Sequence, residues 1–241
     1  MINNRRAGII LLLFCILVAG CKKEAVKTAP VVIYNATHSA TAITASWNGS
    51  NFTTTALSTA QASGVNNANY ISLPAGTNNL LIQNNSTSLL NKNVYTAAGN
   101  GYTILVYDTG AASNTTKVLQ LKDDLTTIAD SLFKFRFLYC MPDTTPLNLI
   151  ISRSNGKSDT ITNRLFIGRE AVASAVEVFA NNSKADSATI RLVKASNYQQ
   201  VLALPVQQYA GNTAYSIIYS GKPAGTGAAI PALKLVTHKI P

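Results

Sequence analysis

The chain has 241 residues, 12% of them charged and 47% hydrophobic, with a formal net charge of +10. Its twenty Lys and Arg are scattered and no aromatic-interleaved basic stretch occurs, which speaks against nucleic acid as a partner. Two histidines and three cysteines offer few ligands for zinc, no DxDxDG-type loop surrounds Asp123-Asp124, and neither a metal nor another cofactor is expected; ten carboxylates are a small pool for glycoside hydrolysis.

Arg5 and Arg6 precede an apolar run from Ala7 to Gly20. A bilayer-spanning helix needs roughly 20 apolar residues, so this run has the proportions of a secretory leader. It ends in Leu17-Val18-Ala19-Gly20-Cys21, where small residues fit a protease groove and a thiol follows at once. The stretch resembles the lipobox of bacterial lipoproteins. The resemblance implies a signal peptide over 1–20, acyl chains such as palmitate on Cys21, and a lipidated N-terminus with spacer over 21–29. No Asp follows Cys21, and Lys22-Lys23-Glu24 resembles the surface-export tether of Bacteroides-type lipoproteins. The expected location is the cell envelope, on an outer membrane and facing outward, with the lipid anchor at Cys21 as the membrane contact. Loss of Arg5 and Arg6 lowers the net charge from +10 to +8. Cys15 leaves with the leader, so Cys140 has no intramolecular disulfide partner. Its place at the end of an apolar run predicts a buried, inert thiol.

Strand-like segments follow in order: Val31–Tyr34; Ile43–Trp47 into the turn Asn48-Gly49; Tyr70–Leu73 before Pro74-Ala75-Gly76; Leu80–Ile82; Tyr102–Tyr107; and Val118–Leu121. The order then recurs. Phe135–Tyr139 answers Val31–Asn35, Leu147–Ile151 before Asn155-Gly156 answers Ile43–Gly49, and Thr189–Val193 answers the stretch around Leu80. "AGNGYTILVY" (98–107) matches "AGNTAYSIIY" (210–219), and Leu233–Val236 answers Val118–Leu121. These matches predict two units of about 100 residues each. The expected fold is all-β, two tandem immunoglobulin-like sandwiches over 30–125 and 131–241, because one-sided apolar strands need a second sheet to cover them. "LKDDLTTIADS" (121–131) would link them, its Asp123-Asp124 solvated, and Gly168–Ala180 reads as a helix or as a further strand.

The strand set, the Asn-Gly turn, "YISLPAG", "AGNGYTILVY" and "LKDDL" together resemble a family of exported bacterial proteins classed as a domain of unknown function. Tandem immunoglobulin-like or transthyretin-like sandwiches are what that resemblance implies over Ala29–Pro241. Its motifs are structural and carry no catalytic residue to any position here.

His38 and His238 belong to no metal-ligand spacing, and no GxSxG or phosphate loop occurs. Trp47, beside a hairpin tip, is the candidate exposed aromatic for a ligand contact. Asp-Ser/Thr pairs recur, giving Ser131, Thr144, Thr160 and Ser187 as candidate O-glycosylation sites; Asp-Ser and Asp-Thr are also common turn formers. The expected function is a non-catalytic binding or structural module for a glycan or an envelope protein. The alternative is an envelope hydrolase, which requires His38 or His238 in a cleft with Asp and Ser, and would fall if both histidines stood isolated on the surface.

Overall fold

The computed structural model describes residues 25–40, 42–53, 55–64, 70–110, 116–168, 179 and 181–239. Cys21 and most of the Gly168–Ala180 stretch lie outside them. The N-terminal half contributes β1 (Thr28–Ala36), β2 (Ala42–Trp47), β3 (Ser50–Asn51), β4 (Leu57–Ser58), β5 (Gln61–Ala62), β6 (Ile71–Pro74), β7 (Gly76–Asn84), β8 (Thr87–Thr96), β9 (Gly101–Asp108) and β10 (Thr116–Asp123). The C-terminal half contributes β11 (Leu132–Tyr139), β12 (Leu147–Arg153), β13 (Ser158–Arg164), β14 (Asn181–Lys184), β15 (Ser187–Lys194), β16 (Gln200–Gln208), β17 (Thr213–Ser220) and β18 (Ala232–Lys239). A single 3₁₀ turn, Gly227–Ala229, is the one helical element among the described residues. The fold is all-β and sandwich-like.

Four sheets form, with strand orders β3-β2-β7-β8, β10-β9-β1-β5, β14-β11-β17-β18 and β13-β12-β15-β16. β6 extends the second sheet beside β1, and β4 pairs with β2. In each half the first long strand lies parallel to the penultimate one, β1 beside β9 and β11 beside β17; the other pairings are antiparallel. Three apolar clusters stack the sheets. Ile33, Ile104 and Val106 meet Trp47, Leu80 and Ile82 in the first. Phe135, Phe137 and Ile217 meet Leu149, Ile190 and Leu192 in the second. The third joins the halves, packing Val32, Tyr34, Leu105 and Leu121 against Leu138, Cys140, Ile218 and Val236.

The parallel pairs thus lie between two layers each. Successive strand residues face opposite ways, so a strand covered on both sides needs apolar or paired groups at every position. β9 (GYTILVYD) is buried throughout, and β17 (TAYSIIYS) nearly so. The outer strands alternate instead: β15 reads half-buried, buried, half-buried, buried at Ser187–Ile190.

Local turns follow their residues. Trp47 pairs with Ser50 across a two-residue turn in which Asn48 (φ 51°) and Gly49 (φ 78°) are both left-handed, as a type I′ hairpin requires. Gly211 serves a different end: a Cβ there would sit 1.6 Å from the Asp130 carbonyl oxygen, so only glycine lets the linker lie against the β16–β17 turn.

The match of 98–107 to 210–219 needs one correction. Tyr102 Oη accepts a hydrogen bond from Ala97 N, and Tyr215 Oη accepts one from Ala210 N, both at 3.0 Å. Tyr102 pairs with Val31 and Tyr215 with Phe135. The tyrosines therefore correspond, whereas the ungapped match sets Tyr102 against Ala214. One extra residue separates the two stretches, and without it every side chain would turn to the wrong face.

Candidate functional site

The layer between the halves holds most of the buried charge. β11 reads Phe133-Lys134-Phe135-Arg136-Phe137. Its phenylalanines face the C-terminal core, which turns Lys134 and Arg136 toward the N-terminal half. Arg136 is 1% exposed, and its Nη2 pairs with Asp123 Oδ1 at 2.8 Å. Arg136 Nη2 also donates to Thr103 Oγ1 (2.8 Å) and its Nε to Ser216 Oγ (2.7 Å). The guanidinium carbon sits 4.3 Å from the centroid of the Phe179 ring. Thr103 Oγ1 lies 2.8 Å from Asp123 Oδ2, and Tyr70 Oη donates to the same oxygen at 2.6 Å. Tyr70, Thr103 and Asp123 come from one half; Arg136, Ser216 and His238 come from the other.

His238 closes the network. Its Nδ1 is 2.9 Å from Tyr70 Oη and its Nε2 is 2.8 Å from Ser216 Oγ. The Tyr70 hydroxyl proton is committed to Asp123, so Tyr70 accepts from His238 Nδ1–H. Nε2 then accepts from the Ser216 hydroxyl, which fixes a neutral imidazole in one tautomer. Burial pulls the His238 pKa down to about 4; Asp123 opposes the shift and Arg136 reinforces it. Burial first, then the charge of Asp123, push Tyr70 far above the usual phenol range.

Lys134 anchors the linker. Its Nζ donates to Thr126 O at 2.8 Å and lies 3.5 Å from Asp124 Oδ2. Hydrogen bonds from Thr126 are the main cause holding the Asp124 carboxyl below its ordinary range. Asp123-Asp124 is therefore not the solvated turn expected: Asp123 is buried at the joint and Asp124 alone is exposed.

His38 belongs to a second group. Asp108, fully buried, accepts from His38 N (2.9 Å), Ser39 N (2.8 Å) and Ser39 Oγ (2.7 Å) at Oδ2, and from Thr116 Oγ1 (3.1 Å) at Oδ1. His38 Nδ1 is 3.4 Å from Asp108 Oδ2. The serine bonds the carboxylate directly and not the imidazole, so the group clamps the loop after β1 to the end of β9.

Trp47 is a correction. It is 3% exposed, its ring lies 6.4 Å from that of Phe52, and its Nε1 donates to Pro74 O at 3.4 Å. It faces the core because it shares a face with Ala45 and Ile43, so it offers no ring to a ligand. The exposed tyrosines are Tyr95 and Tyr198. Ser131, Thr144 and Thr160 are exposed, and Ser187 is half-buried with its Oγ 2.8 Å from Gln208 Oε1. Asp143 accepts from the backbone of Thr144 and Thr145, and Asp186 from that of Ser187, as turn-forming aspartates do. Cys140 is buried and free, and burial pushes its thiol well above the ordinary range. Among the described residues, no three His, Cys, Asp or Glu cluster where a metal ion could be held.

Sheets stacked face to face and locked through a desolvated ion pair define an all-β, sandwich-like protein. The chain belongs to the family described as "Domain of unknown function (DUF4397)", which matches residues 29–150. The match runs past the linker through β11 and into β12. No match was found among curated proteins.

Removing one member of a buried pair leaves an uncompensated charge, at about 3–5 kcal/mol. Arg136→Met should lower unfolding stability in urea by that amount, and adding Asp123→Asn should recover about 1 kcal/mol or more. A second outcome concerns pH. The unfolded histidine titrates near the ordinary value of 6.5 and the folded one near 4. The stability held by neutral His238 is thus complete above pH 6.5 and is lost as pH falls toward 4, by at most about 3 kcal/mol. Urea midpoints across that window should fall more steeply for the native chain than for His238→Gln; equal slopes would show that His238 is not the group responsible.

Proposed function

We propose that the chain is a lipoprotein of an outer membrane, displayed at the cell surface by acyl chains on Cys21, and that it acts as a non-catalytic recognition or structural module for a glycan or an envelope protein. On this reading residues 1–20 are a signal peptide, 21–29 the lipidated N-terminus and spacer, and 30–125 and 131–241 two tandem sandwiches, duplicated and diverged. Corresponding strand orders support the duplication: β10-β9-β1 answers β18-β17-β11, and β3-β2-β7-β8 answers β13-β12-β15-β16. Of the two fold types implied by the resemblance, the immunoglobulin order keeps its first two strands in one sheet. Here β1 and β2 lie in different sheets, as do β11 and β12, which favours the transthyretin-like alternative.

The observation that carries the non-catalytic reading is the closure of the His238–Ser216 group. Ser216 is 0% exposed, and its Oγ already accepts from the Arg136 guanidinium, which draws electron density from the oxygen a nucleophile would use. The hydrolase reading stands second. Neither histidine is isolated, and the 2.8 Å contact of Ser216 with His238 is what favours it. A fluorophosphonate probe decides between them: the native chain should stay unlabelled, and labelling lost in Ser216→Ala would sink the non-catalytic reading.

Anchoring is tested by intact mass of protein taken from its own envelope. The chain should begin at Cys21 with acyl mass added, and Cys21→Ala should abolish it. Hexose or other glycan mass beyond the acyl chains would support modification at Ser131, Thr144, Thr160 or Ser187; the bare acylated mass would count against it. A free thiol at position 21 would overturn the anchor.

A further inference from the structure

Seven residues other than glycine hold a positive φ among the described residues. Four are asparagines, whose short polar side chain is at home in the left-handed region, and two are alanines, which add nothing beyond Cβ. The seventh is Tyr198, at φ 56°. A bulky side chain there is an outlier, and glycine would take the position freely. The turn is well made: Tyr198 N donates to Lys194 O (3.0 Å), Lys194 N to Gln199 O (2.9 Å), and Gln199 N to Asn197 Oδ1 (3.0 Å). Ala195 N donates to Pro146 O (2.9 Å), fixing the loop to the β11–β12 connection. The residue returns little to the core, being 66% exposed. The fold therefore bears a backbone strain at Tyr198 with little burial to offset it, the pattern of a residue held for contact with something else.

The neighbours indicate what that contact is. Ser196, Asn197, Gln199 and Gln200 are exposed and uncharged, and Lys194 is the one charge between 194 and 200. An exposed aromatic flanked along the loop by amides and a hydroxyl suits a neutral sugar, whose C–H face would lie on the ring while its hydroxyls bond the amides. We propose that Tyr198 is the stacking contact of a neutral-glycan site on the β15–β16 loop. This rests on the recognition-module reading above and names its ligand class.

The test is affinity electrophoresis of the full chain in detergent, through gels holding dextran, xylan, mannan or laminarin. At least one polymer should retard the native chain. Tyr198→Gly should weaken that retardation at least tenfold while leaving the thermal midpoint unchanged or higher, because the strain is relieved. Tyr198→Trp and Tyr95→Ala should bind as the native chain does. Equal retardation of native and Tyr198→Gly chains would overturn the site and leave the recognition reading in place, as would loss in Tyr95→Ala alone. A lower midpoint in Tyr198→Gly would overturn it by showing a structural role. Retardation by none of the four would overturn the ligand class; photocrosslinking of the chain in its own envelope then decides the recognition reading separately, a crosslinked partner keeping it and none removing it.

Discussion

Two strand pairs in this protein have no solvent face, and that constraint orders everything around them. β1 with β9 and β11 with β17 each lie between an inner core and the layer joining the halves. A strand in such a place cannot shed a polar side chain into water on alternate positions. Each buried polar group must find a partner inside, or its desolvation counts fully against the fold. Thr103, Arg136, Ser216 and His238 are such groups, and all converge on Asp123 or on one another. The joint is thus the geometric result of stacking four sheets, with its polar members collected at one place.

What the ion pair contributes is better described as orientation than as net stability. Burying a guanidinium and a carboxylate costs several kcal/mol per ion before their attraction repays it, and an apolar pair of similar volume often does as well. Apolar packing across Leu105, Leu138 and Ile218 is not directional. The chain from His238 through Tyr70 to Asp123 is, because its donors and acceptors match in one register only. Lys134 on the linker backbone and the close approach at Gly211 add two further fixed points. The halves are thus held together by directed contacts as well as by an apolar layer.

Much of this was legible in the residues. Unbroken apolar runs such as Tyr102–Tyr107, beside one-sided strands such as Thr189–Val193, separate doubly covered strands from singly covered ones. The Asn48-Gly49 dipeptide fixes its own turn. The joint was less legible: Phe133-Lys134-Phe135-Arg136-Phe137 alternates as a strand with one wet face does, and only the stacking of the halves buries Lys134 and Arg136. Its partner Asp123 read as a solvated turn, because "KDD" is what an exposed linker also looks like, and only the β9–β10 register tells which of the two aspartates turns inward. Trp47 failed for the same reason in reverse. Nearness to a hairpin tip says nothing of which way a strand residue points, and its parity with Ile43 and Ala45 sends it to the core.

Parity also explains why the internal match misleads by one residue. Ungapped letters align Thr103 with Tyr215, yet Thr103 faces the joint and Tyr215 faces a core. The tyrosine hydroxyls at Tyr102 and Tyr215, each holding the backbone amide five residues earlier, fix the correct phase. In that phase Thr103 corresponds to Ser216: one position in each half carries a small hydroxyl onto the joint, and both accept from the single guanidinium of Arg136. Arg136 itself corresponds to Val32, since Val31 and Phe135 occupy equivalent registers. The two halves therefore share hydroxyls at the contact and differ in the residue opposite them. That difference lets one cation serve both hydroxyls, where a second arginine in place of Val32 would bring two like charges into one buried layer.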